Sequence, residues 1–151
     1  MKNSTPLEKI KHYCAYQERS HKEVRFKLLE LEVYGNDLEN IMTELIDENF
    51  LNEERYACAY VRGKFRMKQW GRNKILQGLK QQDISSYCIK QGMKEIDEAD
   101  YRKTIESLAN KKLETLSGEK NKFTKMAKLK NYLLSKGYEF GYINEVISDH
   151  F

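Results

Sequence analysis

Leu79-Lys80-Gln81-Gln82-Asp83-Ile84 reads as the ending of a helix, and the chain carries that ending three times in variant form. Leu29-Glu30-Leu31-Glu32-Val33-Tyr34 and Leu133-Leu134-Ser135-Lys136-Gly137-Tyr138 repeat it at offsets of 50 and 54 residues. Each version has a core leucine, a turn position four residues on, and then an apolar residue that enters the next helix. The turn calls for left-handed backbone, which Gly137 adopts freely and Asp83 tolerates. Val33, in the same register of the first version, does not, so Gly35 is expected to take that duty through a turn two residues longer. The apolar partners downstream are Ile41, Ile89 and Ile143.

Helix starts are marked as clearly as the ends. Ser20-His21-Lys22-Glu23 is a capping box, with the Ser20 hydroxyl on the Glu23 amide and the Glu23 carboxylate reaching back. Asn52 can cap a helix opening on Glu53 and Glu54, two acids well placed for the helix dipole. Leu51 and Tyr56 around Asn52, Trp70 and Ile75 around Gly71, and Ile84 and Ile89 around Ser85 stand at the two positions of a hydrophobic staple. Between these marks apolar residues recur at helical spacing, as in Val24, Leu28, Leu31 and Ile75, Leu76, Leu79, and never alternate over a strand length. The single proline, Pro6, precedes them all.

The fold class is therefore all-α: an elongated array of three tandem three-helix repeats. Their helices fall near 7–18, 20–32 and 36–49; 52–69, 72–82 and 85–94; and 97–116, 119–136 and 139–150. The domains are 1–50 (acidic), 51–95 (basic) and 96–151 (basic). A unit of about 50 residues is marginal alone, so neighbours are expected to pack together.

The composition, 40% apolar and 33% charged, is too apolar for a disordered chain and too charged for a membrane protein. No apolar run approaches the ~20 residues of a membrane span, and the first ten residues hold no apolar signal core. A cytoplasmic location is expected. Cys14, Cys58 and Cys88 are isolated and odd in number, which argues against a metal or disulfide framework, and Cys14 and Cys58, in apolar helical stretches, read as small core side chains. His12, His21 and His150 are scattered, and no phosphate loop, metal-ligand spacing or nucleophile motif is present, so no catalytic residue, metal or cofactor is expected.

Charge carries the functional signal. From Lys27 to Glu54 there are nine acids and one base; from Arg55 to Gln82, eight bases and no acid; from Arg102 to Lys136, ten bases and three acids. In the middle block Arg62 and Arg66 share a helix face, as do Lys64 and Lys68. Arg72 and Lys74 sit in a helix's first turn, where positive charge is unfavourable unless an anion binds. These six, with Lys122, Lys125, Lys128 and Lys130 of the third repeat, are the candidate contacts to DNA or to a protein filament on it. The plainer alternative is a solvated face balanced by the acidic block. Trp70 could stack on a base, but its staple position favours packing. The tyrosines, Tyr13, Tyr16, Tyr56, Tyr60 and Tyr132 among them, read as packing residues between helices.

The stretch Phe50-Leu51-Asn52-Glu53-Glu54-Arg55-Tyr56-Ala57, followed by Tyr60-Val61-Arg62, Trp70-Gly71-Arg72-Asn73-Lys74-Ile75, Leu79 and Ile84-Ser85, resembles the central signature of the RecX family. Arg19 to Arg25 with Lys27-Leu28, and Lys128 to Tyr138 with Val146-Ile147, resemble its first and third repeats; Val33 and Asp83 stand where glycine is usual. The resemblance implies a cytoplasmic regulator of the RecA recombinase. Such a protein lodges in the groove of the RecA–DNA filament, binds single- and double-stranded DNA, and mainly inhibits the recombinase, ATPase and coprotease activities behind recombination, DNA repair and SOS control. A monomer without catalysis of its own and without membrane contact is expected. The alternative is a stand-alone, non-sequence-specific nucleic-acid-binding protein.

Overall fold

The computed structural model describes residues 4–151, and among them every regular element is a helix. They are α1 (Pro6–Tyr16), α2 (His21–Glu30), α3 (Gly35–Asp47), α4 (Glu53–Lys68), α5 (Arg72–Gln81), α6 (Ser86–Met93), α7 (Glu98–Thr115), α8 (Lys122–Ser135) and α9 (Phe140–His150). The caps explain where most of them begin. Thr5 accepts from the Glu8 amide with Pro6 in the first turn, the Ser20–Glu23 box closes both ways, and Asn52, Ser85, Asp97 and Asn121 each take an amide three residues on.

Within each unit the second helix ends in one motif. Glu32, Asp83 and Gly137 adopt left-handed backbone, and the next residue, Val33, Ile84 or Tyr138, donates its amide to the carbonyl of Leu28, Leu79 or Leu133. This corrects the expected register of the first unit by one residue. Glu32 takes the left-handed position, and no lengthened turn is needed, although Gly35 at the start of α3 also has φ +55. Val33 is the buried residue that enters the next helix, and its partner five positions on is Leu38, buried, rather than Ile41, which is only half-buried.

Two cores hold the molecule together. One, built on Ile10, Val24, Leu28, Leu38, Met42, Leu45 and Leu51, belongs to α1–α3. The other runs without a break through α4–α9, from Tyr56, Val61 and Ile75 to Ile105, Leu129 and Ile143. Cys14 is buried in the first core, where burial pushes its thiol up to about 11, as suits a packing role.

The seam within the larger core is a meeting of helix ends. The Gly71 and Asn73 amides, at the start of α5, donate to the Lys136 and Gly137 carbonyls at the end of α8 (2.7 and 2.9 Å), and the Arg72 amide donates to the Tyr101 hydroxyl (2.9 Å). In return the Tyr138 hydroxyl donates to the Gln69 carbonyl (2.8 Å) and Lys136 Nζ to the Lys68 carbonyl (2.9 Å) at the end of α4. The approach requires glycine on both sides: a Cβ on Gly71 would stand 2.6 Å from the Tyr138 nitrogen, and one on Gly137 2.6 Å from the Lys74 nitrogen.

The joint between the first unit and the rest is different in kind. It is made of polar contacts: Ser20 Oγ to Gln82 Oε1 (2.6 Å), Lys22 Nζ to the Gln81 carbonyl (2.8 Å) and Arg55 Nε to Glu18 (2.7 Å). Ser20 is fully buried there, and His21 Nε2 is buried with no hydrogen-bond partner.

Candidate nucleic-acid interface

The six candidate residues of the middle unit divide into two groups. Arg62 is paired with Glu95. Arg72 reaches Glu98 (2.9 Å), Glu139 (3.2 Å) and the Tyr142 hydroxyl (3.1 Å), with its guanidinium carbon 4.0 Å from the centre of the Tyr101 ring. Burial works against its charge, but hydrogen bonds to Tyr142, Glu98 and Glu139 outweigh it and hold the guanidinium protonated beyond its ordinary range. The Tyr101 hydroxyl donates to Glu139, so a closed network ties α5, α7 and α9 together.

That network corrects the sequence argument at Arg72. The α5 N-terminus offers no open anion site at residues 71–73, because its amides are taken by Lys136, Gly137 and Tyr101. Positive charge is tolerated there because carboxylates of α7 and the α8–α9 turn surround it. Arg72 is held by Glu98 and Glu139, and Arg62 is neutralised within its own unit by Glu95. None of these carboxylates comes from the acidic first unit; among the described residues, the cation of the block paired with that unit is Arg55.

The other group is Lys64, Arg66, Lys68 and Lys74. Among the described residues no carboxylate pairs with any of them. Lys64 and Lys74 lie over one aromatic ring, their ammonium groups 4.9 and 4.7 Å from the centre of Trp70, with Lys64 also 5.4 Å from Tyr60. Arg66 and Lys68 extend from the last turns of α4 into solvent. Trp70 is half-buried and packs against the larger core, as its staple position predicts.

Across the seam the same surface gains Lys136, which sequence reasoning left out. Burial lowers its pKa first, and the charges of Lys74 and Lys68 lower it further, so the three ammonium groups share one field. One turn back on α8, Tyr132 carries Lys112 of α7 over its ring at 5.2 Å. Tyr60, Trp70 and Tyr132 thus each carry a lysine ammonium over the ring and pack against the larger core. Lys136 lies more than sixty residues from Lys68 and Lys74 in sequence, so only the Gly71–Gly137 contact could have disclosed it.

The third-unit candidates do not form one cluster. Lys122 and Lys125 have no carboxylate partner among the described residues, whereas Lys128 reaches Glu119 (3.6 Å) and Lys130 lies 5.5 Å from the Phe140 ring. On α8, Lys125 and Lys128 share the flank of Lys136, and Lys130 points to the other. No group of His, Cys, Asp and Glu among the described residues could hold a metal ion, and no described helix is long and apolar enough to cross a membrane.

Two family models match the chain: the second three-helix domain of RecX over residues 52–93 and the third over residues 99–147. A regulatory protein RecX from Clostridium perfringens (strain 13) is 33% identical over 130 residues, which are 85% of this chain and 60% of that protein. One from Oceanobacillus iheyensis is 26% identical over 136 residues, 90% of this chain and 50% of that protein. The chain thus spans between half and two thirds of the length of these relatives. The crystal structure of RecX from Lactobacillus salivarius superposes with a TM-score of 0.85 at 26% identity, covering 95% of this chain and 93% of that one.

Proposed function

The chain belongs to the RecX family, and from that premise we propose that it is a cytoplasmic regulatory protein that binds the RecA–DNA filament and mainly inhibits RecA's recombinase, ATPase and coprotease activities. In this reading it acts as a monomer, without catalysis of its own, in recombination, DNA repair and SOS control. The observation that carries the DNA half of the reading is the uncompensated strip of Lys64, Arg66, Lys68, Lys74 and Lys136 across the seam of the larger core. A cluster of cations without carboxylate partners is favourable next to an anionic polymer and costly alone. The charge division supports the protein half: residues 4–50 hold ten acids and six bases, residues 51–151 thirteen acids and twenty bases. An acidic arm beside a basic body can meet protein and nucleic acid together.

The test is ATP hydrolysis by RecA on single-stranded DNA as this protein is added. Inhibition well below one molecule per RecA monomer is the expected result. Inhibition only at levels that coat the free DNA would instead favour a stand-alone nucleic-acid-binding protein, for which the basic strip alone suffices.

A further inference from the structure

We propose that Trp70 is the scaffold of a two-point phosphate clamp, holding the Lys64 and Lys74 ammonium groups over its indole so that they grip the backbone of a nucleic acid. The inference rests on the DNA-binding reading above and adds to it a specific site and what that site reads: phosphate, not bases.

The geometry gives three reasons. First, Lys64 and Lys74 come from different helices, α4 and α5, yet both ammonium groups lie within 5 Å of the same ring centre. They are therefore closer to each other than about 10 Å, the screening length at ~0.1 M salt, and repel unless something anionic lies between or beside them. Second, nothing among the described residues plays that part. Neither lysine pairs with a carboxylate among the described residues, and Lys74 lies in the field of Lys136, a cation as well. Third, the indole is fixed. Trp70 sits between the left-handed Gln69 and the interlocked Gly71 and packs against the larger core. A fixed ring turns two flexible lysines into a pre-set pair, which lowers the entropy lost when they close on a ligand. A base stacking on the half-buried indole would have to displace the ammonium groups from it, so the ring meets the polymer through them.

Trp70 is the chain's single tryptophan, so its fluorescence reports on the clamp directly. The full chain is titrated with oligothymidylate and, separately, with inorganic polyphosphate, which has the charge but no bases. Both are expected to change Trp70 emission, and polyphosphate is expected to displace the oligonucleotide. In a Lys64→Gln/Lys74→Gln double variant the slope of log affinity against log salt should fall by about 1.4, at ~0.7 per single-strand phosphate lost. Trp70→Leu should weaken oligothymidylate binding roughly five- to ten-fold, and Trp70→Phe should restore part of it, with helix content by circular dichroism unchanged in all three. A Trp70 response to oligothymidylate that polyphosphate neither reproduces nor competes away would overturn the clamp in favour of stacking. Unchanged salt slope in the double variant, with DNA binding intact, would refute the clamp and leave the DNA-binding reading standing. A wild-type chain that bound neither polymer would refute both.

Discussion

Arg72 shows how position in space can reverse the meaning of a residue. In sequence it is one more cation in an acid-free block; in the fold it is the hub joining α5, α7 and α9. Its side chain is 24% exposed, so removing it strips a partly buried charge network of its centre and leaves Glu98, Glu139 and the Tyr101 hydroxyl without their cation. Arg72→Ala is expected to cost about 2–4 kcal/mol of unfolding free energy, read by urea denaturation, while affinity for DNA per folded molecule changes little. The same network gives stability a pH dependence. The Tyr142 hydroxyl, followed by Arg72, holds the Glu98 carboxyl below the usual carboxylate range. A group depressed in the folded state stabilises it fully above the unfolded value, near pH 4, and loses that contribution as pH falls through the folded value. Glu98→Gln should therefore lower the melting temperature at pH 7, and the gap to wild type should close in acid below pH 4. A gap that persisted unchanged there would show that the carboxylate's charge is not what stabilises.

At the scale of helices and turns, the two glycines of the seam and the glycine inside α4 make opposite forecasts. Gly63 is mid-helix with open space where a Cβ would go, so Gly63→Ala should stabilise by up to about 1 kcal/mol through helix propensity. Gly71→Ala would press a methyl group into the Gly137–Tyr138 backbone and should cost more than about 2 kcal/mol, with both effects measured by thermal melting. Elements of this kind were largely readable beforehand, because their determinants are local: Ser20 with Glu23, Asn52, Ser85 and Gly137 each act within a few residues of themselves. The register of the first unit was not, because Leu28 and Leu29 are both leucines and only burial shows that Leu28 begins the motif. Nor did the sequence mark Glu32 as left-handed, since a residue without special freedom adopts that backbone only when the surrounding packing imposes it. The candidate interface fared the same way. Lys64, Arg66, Lys68 and Lys74 stand out as a run, but which cations have internal carboxylates depends on Glu95, Glu98 and Glu139, far off in the chain.

For the whole molecule, what matters is that the two cores meet through polar contacts, whereas the second and third units share one interior. Denaturation should therefore proceed in two steps. Leu45→Ala is expected to shift only the step belonging to residues 4–50, and Ile75→Ala only the step of residues 53–151, each by about 2–5 kcal/mol, as followed by residue-resolved hydrogen exchange. A single transition moved equally by both would mean that the polar joint couples the cores fully. The shared interior also orders events during synthesis. Residues 4–50 can close their core as soon as they emerge, since every member of it lies within that stretch or one residue beyond. The amides that open α5 must wait for Lys136 and Gly137 to leave the ribosome, about 65 residues and, at 5–20 residues per second, roughly 3–13 s later. Throughout that interval the nascent middle unit carries its whole complement of lysines and arginines with the carboxylate of Glu139 still unmade, so a newborn chain is more cationic around Arg72 than the finished protein ever is.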